Sequence, residues 1–299
     1  MTEAMPFLQK AILLSYDPRP LGLGCVLAVG MMLYPMASNW LSGQTRSQVI
    51  TEYETAVEVL DNQATQQALE LAQAYNRDLL EQSCSIAGFS VSGAPTPGKD
   101  ILTALDPTGG GMLATLEIPA IDVILPVYYG TQSTTLTSGV GVVEGSSLPV
   151  GGEGSHAVLA GHSGLASSRL LSDLDQLTQG DVFFLRVLDE TLAYEVDQIS
   201  VVLPDDVSLI GIDPQGDYVT LLTCTPYGVN SHRLLVRGTR TEWTAEDTVV
   251  ATAQNPNHES NWWGEYRTAL CMGFGIYLAM LAVAVPVGVW WIKGGGRHG

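Results

Sequence analysis

The sequence predicts a mainly β protein: a closed eight-stranded barrel, preceded by helices and flanked by two transmembrane helices. Three observations carry that expectation. Residues 112–243 break into short β-type runs separated by turn residues, and residues 47–82 have helical periodicity instead. Two apolar stretches, 21–41 and 269–292, carry no charge. They account for a mean hydropathy of +0.19 in a 299-residue chain whose net charge is −18. With 13 basic against 31 acidic residues, no footprint for nucleic acid exists. Four cysteines without a C-x-x-C pair exclude a disulfide scaffold and a zinc site of the usual spacing.

In chain order, residues 1–20 read as a cytoplasmic tail and 21–41 as the first membrane helix. At 1.5 Å per residue that stretch reaches about 32 Å, against a hydrocarbon core of about 30 Å. Gly22, Gly24, Gly30 and Pro35 interrupt it, and Trp40 sits at its end, where an interfacial aromatic belongs. A cleaved signal peptide is the alternative. The 20-residue lead and the lack of a small-x-small site favour an uncleaved anchor, and either one exports the body of the chain.

Residues 42–82 form the helical segment. Val49, Ile50, Tyr53, Val57, Leu60, Ala64, Ala68, Leu71 and Tyr75 recur at spacings of three and four, without Gly or Pro between residues 47 and 82. Residues 83–111 then turn irregular, with Gly88, Gly93, Pro95, Pro97, Gly98, Pro107 and Gly109 to Gly111. A loop of that length is uncommon and usually either functional or mobile.

The expected strands are 115–121, 123–129, 139–144, 156–161, 182–188, 192–203, 218–224 and 233–239, with a hairpin at Asp189-Glu190 and one short helix over 168–177. Eight strands with a single short helix suit a closed barrel better than a βαβ fold. A linker, 244–268, leads to the second membrane helix, 269–292, and a tail, 293–299, that carries Lys293 and Arg297. The segment between the spans holds 9 basic and 29 acidic residues, a net of −20. Lys10 and Arg19 before the first span, with Lys293 and Arg297 after the second, place both termini in the cytoplasm and the body outside.

Cys224 ends an apolar strand that Thr225-Pro226 stops, and His162 follows another strand end. Arg233 opens the strand nine residues after the cysteine. At one barrel mouth these three make a nucleophilic site: a thiolate attacks, an imidazolium protonates the leaving amine, and a guanidinium stabilises the oxyanion. Read residue by residue, a packing cysteine, a turn histidine and a surface arginine stay open. So does a disulfide between Cys84 and Cys224 in a non-catalytic binding barrel. Cys25 and Cys271 read as packing residues of the spans.

The run Val219-Thr220-Leu221-Leu222-Thr223-Cys224-Thr225-Pro226 resembles the TLxTC signature of sortases. Asn230 to Gly238 resembles the segment bearing their catalytic arginine, and His156-Ala157-Val158-Leu159-Ala160-Gly161-His162 their histidine strand. Glu144 to Pro149 and Leu116 to Ile121 also have counterparts there. The resemblance spans 112–240 and implies Cys224 as nucleophile, His162 as acid, Arg233 as the oxyanion or positioning group, and structural roles for His156 and His232.

Helices before the barrel, a lid and a hydrophobic C-terminal anchor resemble class C, the pilin polymerases. The class C lid carries Asp-Pro followed by an aromatic residue. Here Asp106-Pro107 is followed by Thr108 close to the first strand, and Phe89 is an alternative cover. Ser163 stands where many relatives have arginine.

The resemblance implies a transpeptidase. It would cut an LPxTG-type sorting signal through a cysteine thioester and pass the acyl group to an amine, on a pilin lysine or, in the housekeeping class, a cell-wall precursor. It implies no cofactor or metal. The expected partners are the sorting signal, the amine acceptor and the membrane. A hydrolytic cysteine protease using the same groups is a further alternative.

Overall fold

The computed structural model describes residues 19–85, 95–163 and 168–243, with five positions between 267 and 275. Two helices come first, α1 (Arg19–Glu58) and α2 (Asn62–Ser85), then a short α3 (Lys99–Leu105). The strands are β1 (Met112–Ile118), β2 (Val123–Tyr129), β3 (Val140–Val142), β4 (Ser155–Ala160), β5 (Val182–Val187), β6 (Glu190–Val202), β7 (Asp217–Thr225) and β8 (His232–Thr241), with α4 (Ser133–Ser138) between β2 and β3. They close into a barrel of order β1-β2-β3-β4-β7-β8-β6-β5, the expected architecture. The pairs β2·β3 and β4·β7 are parallel, and all the others are antiparallel.

Alternation along each strand fills the barrel. Leu116, Ile118, Val142, Leu159, Phe183, Leu185, Tyr194, Val219, Leu221, Leu234 and Val236 are buried in one continuous core. A smaller apolar cluster lies on the outer face. There Val158, Leu235 and partly buried Leu222 and Val202 meet Val207, Leu209 and Ile210 from the β6–β7 connection.

Pairing also sorts the strand ends into two rims. The upper rim collects the ends of β1, β4, β6 and β7 with the starts of β2, β5 and β8. The lower rim collects the starts of β1, β4, β6 and β7 with the ends of β2, β5 and β8.

Helix α1 ties the rims together. Near the upper rim, Arg46 Nη1 donates to Ser168 Oγ at 2.6 Å, and Asn39 Oδ1 accepts from the Arg169 N–H at 3.0 Å. At the lower rim the Tyr53 hydroxyl donates to Leu113 O (2.9 Å) and accepts from Leu188 N (3.1 Å). Fourteen helical residues rise about 21 Å, close to the roughly 23 Å of a seven-residue strand, so the helix matches the barrel's height. Burial pushes the Tyr53 hydroxyl up to about 12 and lowers Arg46 from the usual guanidinium value. Helix α2 docks through buried Asn76, which exchanges both amide bonds with the Leu148 backbone at 3.0 and 2.7 Å.

Several expectations change. Helix α1 passes Leu41 without a break and ends at Glu58. The stretch 83–111 contains α3, and Cys84 lies in α2 rather than in that loop. The short helix over 168–177 shrinks to one 3-10 turn, Leu174–Gln176, because Leu170 adopts a left-handed backbone (φ 42°) that an α-helix excludes. Among the described residues, no helix is long and apolar enough to cross a membrane. The linker 244–268 and the second expected span fall almost wholly outside the described residues, as do the side chains of 21–29, 31 and 32 in the first.

Candidate active site

Strand geometry places the cysteine. Thr223 is buried, with its hydroxyl donating to Gly161 O at 2.9 Å, so Cys224 takes the opposite, outer face. It is half-buried and a free thiol, which removes the disulfide with Cys84 as a reading of this fold. In the antiparallel β7·β8 ladder Cys224 stands directly opposite Arg233, on the same face.

On the other flank β4 runs parallel to β7, with Ala160 opposite Leu222. Gly161 N donates to Leu222 O at 2.9 Å, which carries the pairing past the end of β4. One residue further, His162 falls beside Cys224 on the outer face. With that register continued past the end of β4, His162, Cys224 and Arg233 follow one another across the upper rim. His162 is half-buried, and its carbonyl accepts from Leu171 N at 3.2 Å. Arg233 Nη1 is held by the carbonyls of His232 (3.1 Å), the first residue of β8, and of Asn230 (3.4 Å) in the β7–β8 connection.

The other candidates separate from this row. His156 is buried farther down β4, its Nδ1 against Gly211 O (2.8 Å) and Nε2 against the Thr220 hydroxyl (2.7 Å). Burial lowers its pKa from the usual histidine value, so it serves as a neutral tie to the β6–β7 connection. His232 Nδ1 meets the Ser231 hydroxyl at 2.9 Å.

Asp106 and Pro107 are at the other end of the molecule. They follow α3 and enter β1 at the lower rim. Asp106 Oδ2 accepts from Gly111 N (2.6 Å), and Oδ1 from Thr108 N (3.2 Å) and its hydroxyl (2.8 Å). That carboxylate closes the turn into the first strand. Its bonds stay within residues 106–111, at the start of β1, whereas Cys224 lies near the end of β7. Phe89 lies outside the described residues.

One part of the site goes unread in the sequence. Leu222, Val202, Val207 and Leu209 make an apolar floor on the same outer face as Cys224. Alternation alone signals Leu222, two residues before the cysteine. The others come from β6 and its following connection, and only closure of the barrel brings them near.

This row has the chemistry of a thiol acyltransferase: a nucleophile flanked by a proton donor and a fixed cation. A sequence model of the family described as Sortase domain matches residues 116–241. Sortase A of Bacillus anthracis is 32% identical over 127 residues, covering 42% of this chain and 59% of the relative. Sortase D of Bacillus subtilis (strain 168) is 31% identical over 137 residues, covering 45% and 66%. The chain thus matches less than two thirds of the length of these curated relatives.

Crystal structures match more fully. Sortase C of Streptococcus pneumoniae is 43% identical, with a TM-score of 0.57 over 66% of this chain and 98% of that one. Sortase C1 of Streptococcus agalactiae is 39% identical, with a TM-score of 0.60 over 66% and 100%. With the barrel, the cysteine signature and these likenesses together, the chain belongs to the sortase family, whose members are cysteine transpeptidases.

Proposed function

We propose that this chain is a membrane-anchored, pilin-polymerising transpeptidase. It cleaves an LPxTG-type sorting signal between Thr and Gly and transfers the acyl group to a pilin lysine. The row of His162, Cys224 and Arg233 on one outer face carries the proposal.

In this mechanism the Cys224 thiolate attacks the threonine carbonyl carbon. Arg233 lies directly across the ladder and receives the developing oxyanion, exchanging its bonds to Asn230 and His232 for that charge. Collapse breaks the C–N bond, and His162 delivers a proton to the departing glycine amine. The thioester retains enough acyl energy for aminolysis. The incoming lysine amine attacks it, His162 takes the proton, and the thiolate leaves. Leu222, Val202 and Leu209 offer an apolar bed for the leucine and proline of the signal.

The pilin reading draws on the likeness to sortase C of Streptococcus pneumoniae, a structure described for its pilin substrate specificity. The membrane reading draws on the uncharged stretches 21–41 and 269–292 and on the basic residues flanking them, with the barrel outside and both termini cytoplasmic.

The test is incubation of the full chain with a sorting-signal peptide and a lysine-containing acceptor. A joined product supports transfer. Cleavage without joining would reduce the reading to hydrolysis, and joining only to a cell-wall precursor would reassign it to the housekeeping reaction.

A further inference from the structure

The pairing of β4 with β7 ends at Gly161, one residue before His162. Residues 168–171 lie against His162: Leu171 N donates to the His162 carbonyl at 3.2 Å. Those four residues are held from several directions. Arg169 Nη2 donates to Ile121 O at 2.7 Å, beyond the end of β1. Its Nε donates to the fully buried Asp173 at 2.5 Å. Leu170, 2% exposed, sits in the left-handed region at φ 42°. A non-glycine residue keeps that conformation only where its surroundings impose it.

The remaining ties come from far away in the chain. Asn39 Oδ1 accepts the Arg169 N–H, and Arg46 Nη1 donates to the Ser168 hydroxyl. Both residues are on α1, two turns apart on one face.

We infer that α1 is a positioning element for the active site: Asn39 and Arg46 latch residues 168–171 and, through Leu171, hold His162 at the height of Cys224. The inference rests on the proposed role of His162 as proton donor. Asn39 and Arg46 are positioning residues, since neither reaches the reacting atoms. The strand pairs that close the barrel include neither tie, so the latch is expected to bear on the histidine more than on folding. The helix expected to leave for the membrane is then also the helix that sets the catalytic geometry.

The test uses the full chain in detergent, with Asn39→Ala and Arg46→Met singly and together. Asn39→Asp keeps the acceptor oxygen, and Arg46→Lys keeps a donor. Gln48→Ala is the control, because among the described residues its side-chain bond stays within α1, to Glu52. Two readouts are needed: kcat and KM for transfer of a fluorogenic LPxTG-type peptide to an amine, and the pH dependence of Cys224 alkylation by iodoacetamide, resolved by peptide mass spectrometry. His162→Ala supplies the reference profile.

Asn39→Ala and Arg46→Met should each lower kcat by about 10- to 100-fold with KM little changed, the scale of a reacting group misplaced by about 1 Å. Their alkylation profiles should move toward that of His162→Ala, while the Asp and Lys variants stay near wild type. A double variant with wild-type kcat and alkylation profile overturns the inference. Collapse of the thermal melt also overturns it, since the ties would then hold the fold and not the histidine. If His162→Ala itself leaves both readouts unchanged, the proposed role of His162 fails first, and that result is distinct from failure of the latch alone.

Discussion

The two rims of the barrel use opposite ends of the same strands, and they treat polar groups in opposite ways. At the lower rim the polar side chains are spent on the fold. Tyr53 joins β1 to the β5–β6 turn, and Asp106 closes the turn into β1. Asp217 accepts from Gly152 N at 2.9 Å and from the Tyr194 hydroxyl at 3.0 Å. At the upper rim Cys224 is a free thiol, half-buried, opposite an arginine held by two backbone carbonyls, and near a half-buried histidine. Under the proposed mechanism, the thiol and the guanidinium would have to exchange their partners for substrate, whereas the lower-rim groups keep theirs.

Each prediction sharpens or breaks that contrast. The largest effect belongs to Cys224→Ala, which should abolish acyl-enzyme formation and transfer while leaving the melting temperature unchanged. Mass spectrometry of the enzyme after incubation with signal peptide reads the first, and calorimetry the second. Normal processing by that variant would break the assignment of the upper rim. Next is Arg233→Lys, expected to lower kcat by about tenfold or more with a smaller change in KM, because a point charge replaces a planar fork. Steady-state kinetics on one peptide would show it.

The lower rim answers in stability. Tyr53→Phe strands Leu113 O and Leu188 N in a buried site and should cost about 2 kcal/mol, read by denaturant unfolding, with kcat unaltered. Its pH signature is specific. The hydroxyl titrates near 10 when unfolded and is pushed up to about 12 by burial. The fold therefore favours the protonated phenol, and wild type should lose, between pH 10 and 12, a stability that Tyr53→Phe never had.

His156 behaves in the reverse sense. Burial lowers its pKa, so below about 6.5 the unfolded chain takes up a proton that the native chain refuses. Wild type should soften as pH falls from 7 to 5, and His156→Gln should soften less; melting curves across that range decide it. The smallest effect is at Asp106. Asp106→Ala should cost about 1 kcal/mol and leave transfer rates alone. A change in kcat or in Cys224 accessibility would restore a covering role to that turn.

Legibility follows the range of the interactions. Val123–Tyr129 is read from alternation to the residue, while β1 lies three residues earlier than expected, because Pro119 opens a 3-10 turn after Ile118. Helix α3 hides in a Pro- and Gly-rich stretch whose composition suggests only loop. The helical pattern over 168–177 misleads because Arg169 binds Ile121 and Asp173 across space, and Leu170 turns left-handed to allow it. The apolar residues of the β6–β7 connection carry no local mark of the cluster they form with β4, β7 and β8.

By itself, then, the sequence determined the strand content, the helices ahead of the barrel, the position of Cys224 at a strand end and the three candidate residues in chain order. Those properties are written in neighbours within a few residues, where periodicity and turn chemistry act. Tertiary structure alone decided that β4 runs parallel to β7, that Asp106 closes the turn into β1, and that α1 reaches the residues bonded to His162. These depend on contacts between residues tens to more than a hundred positions apart, whose partners are chosen by closing one barrel around one core.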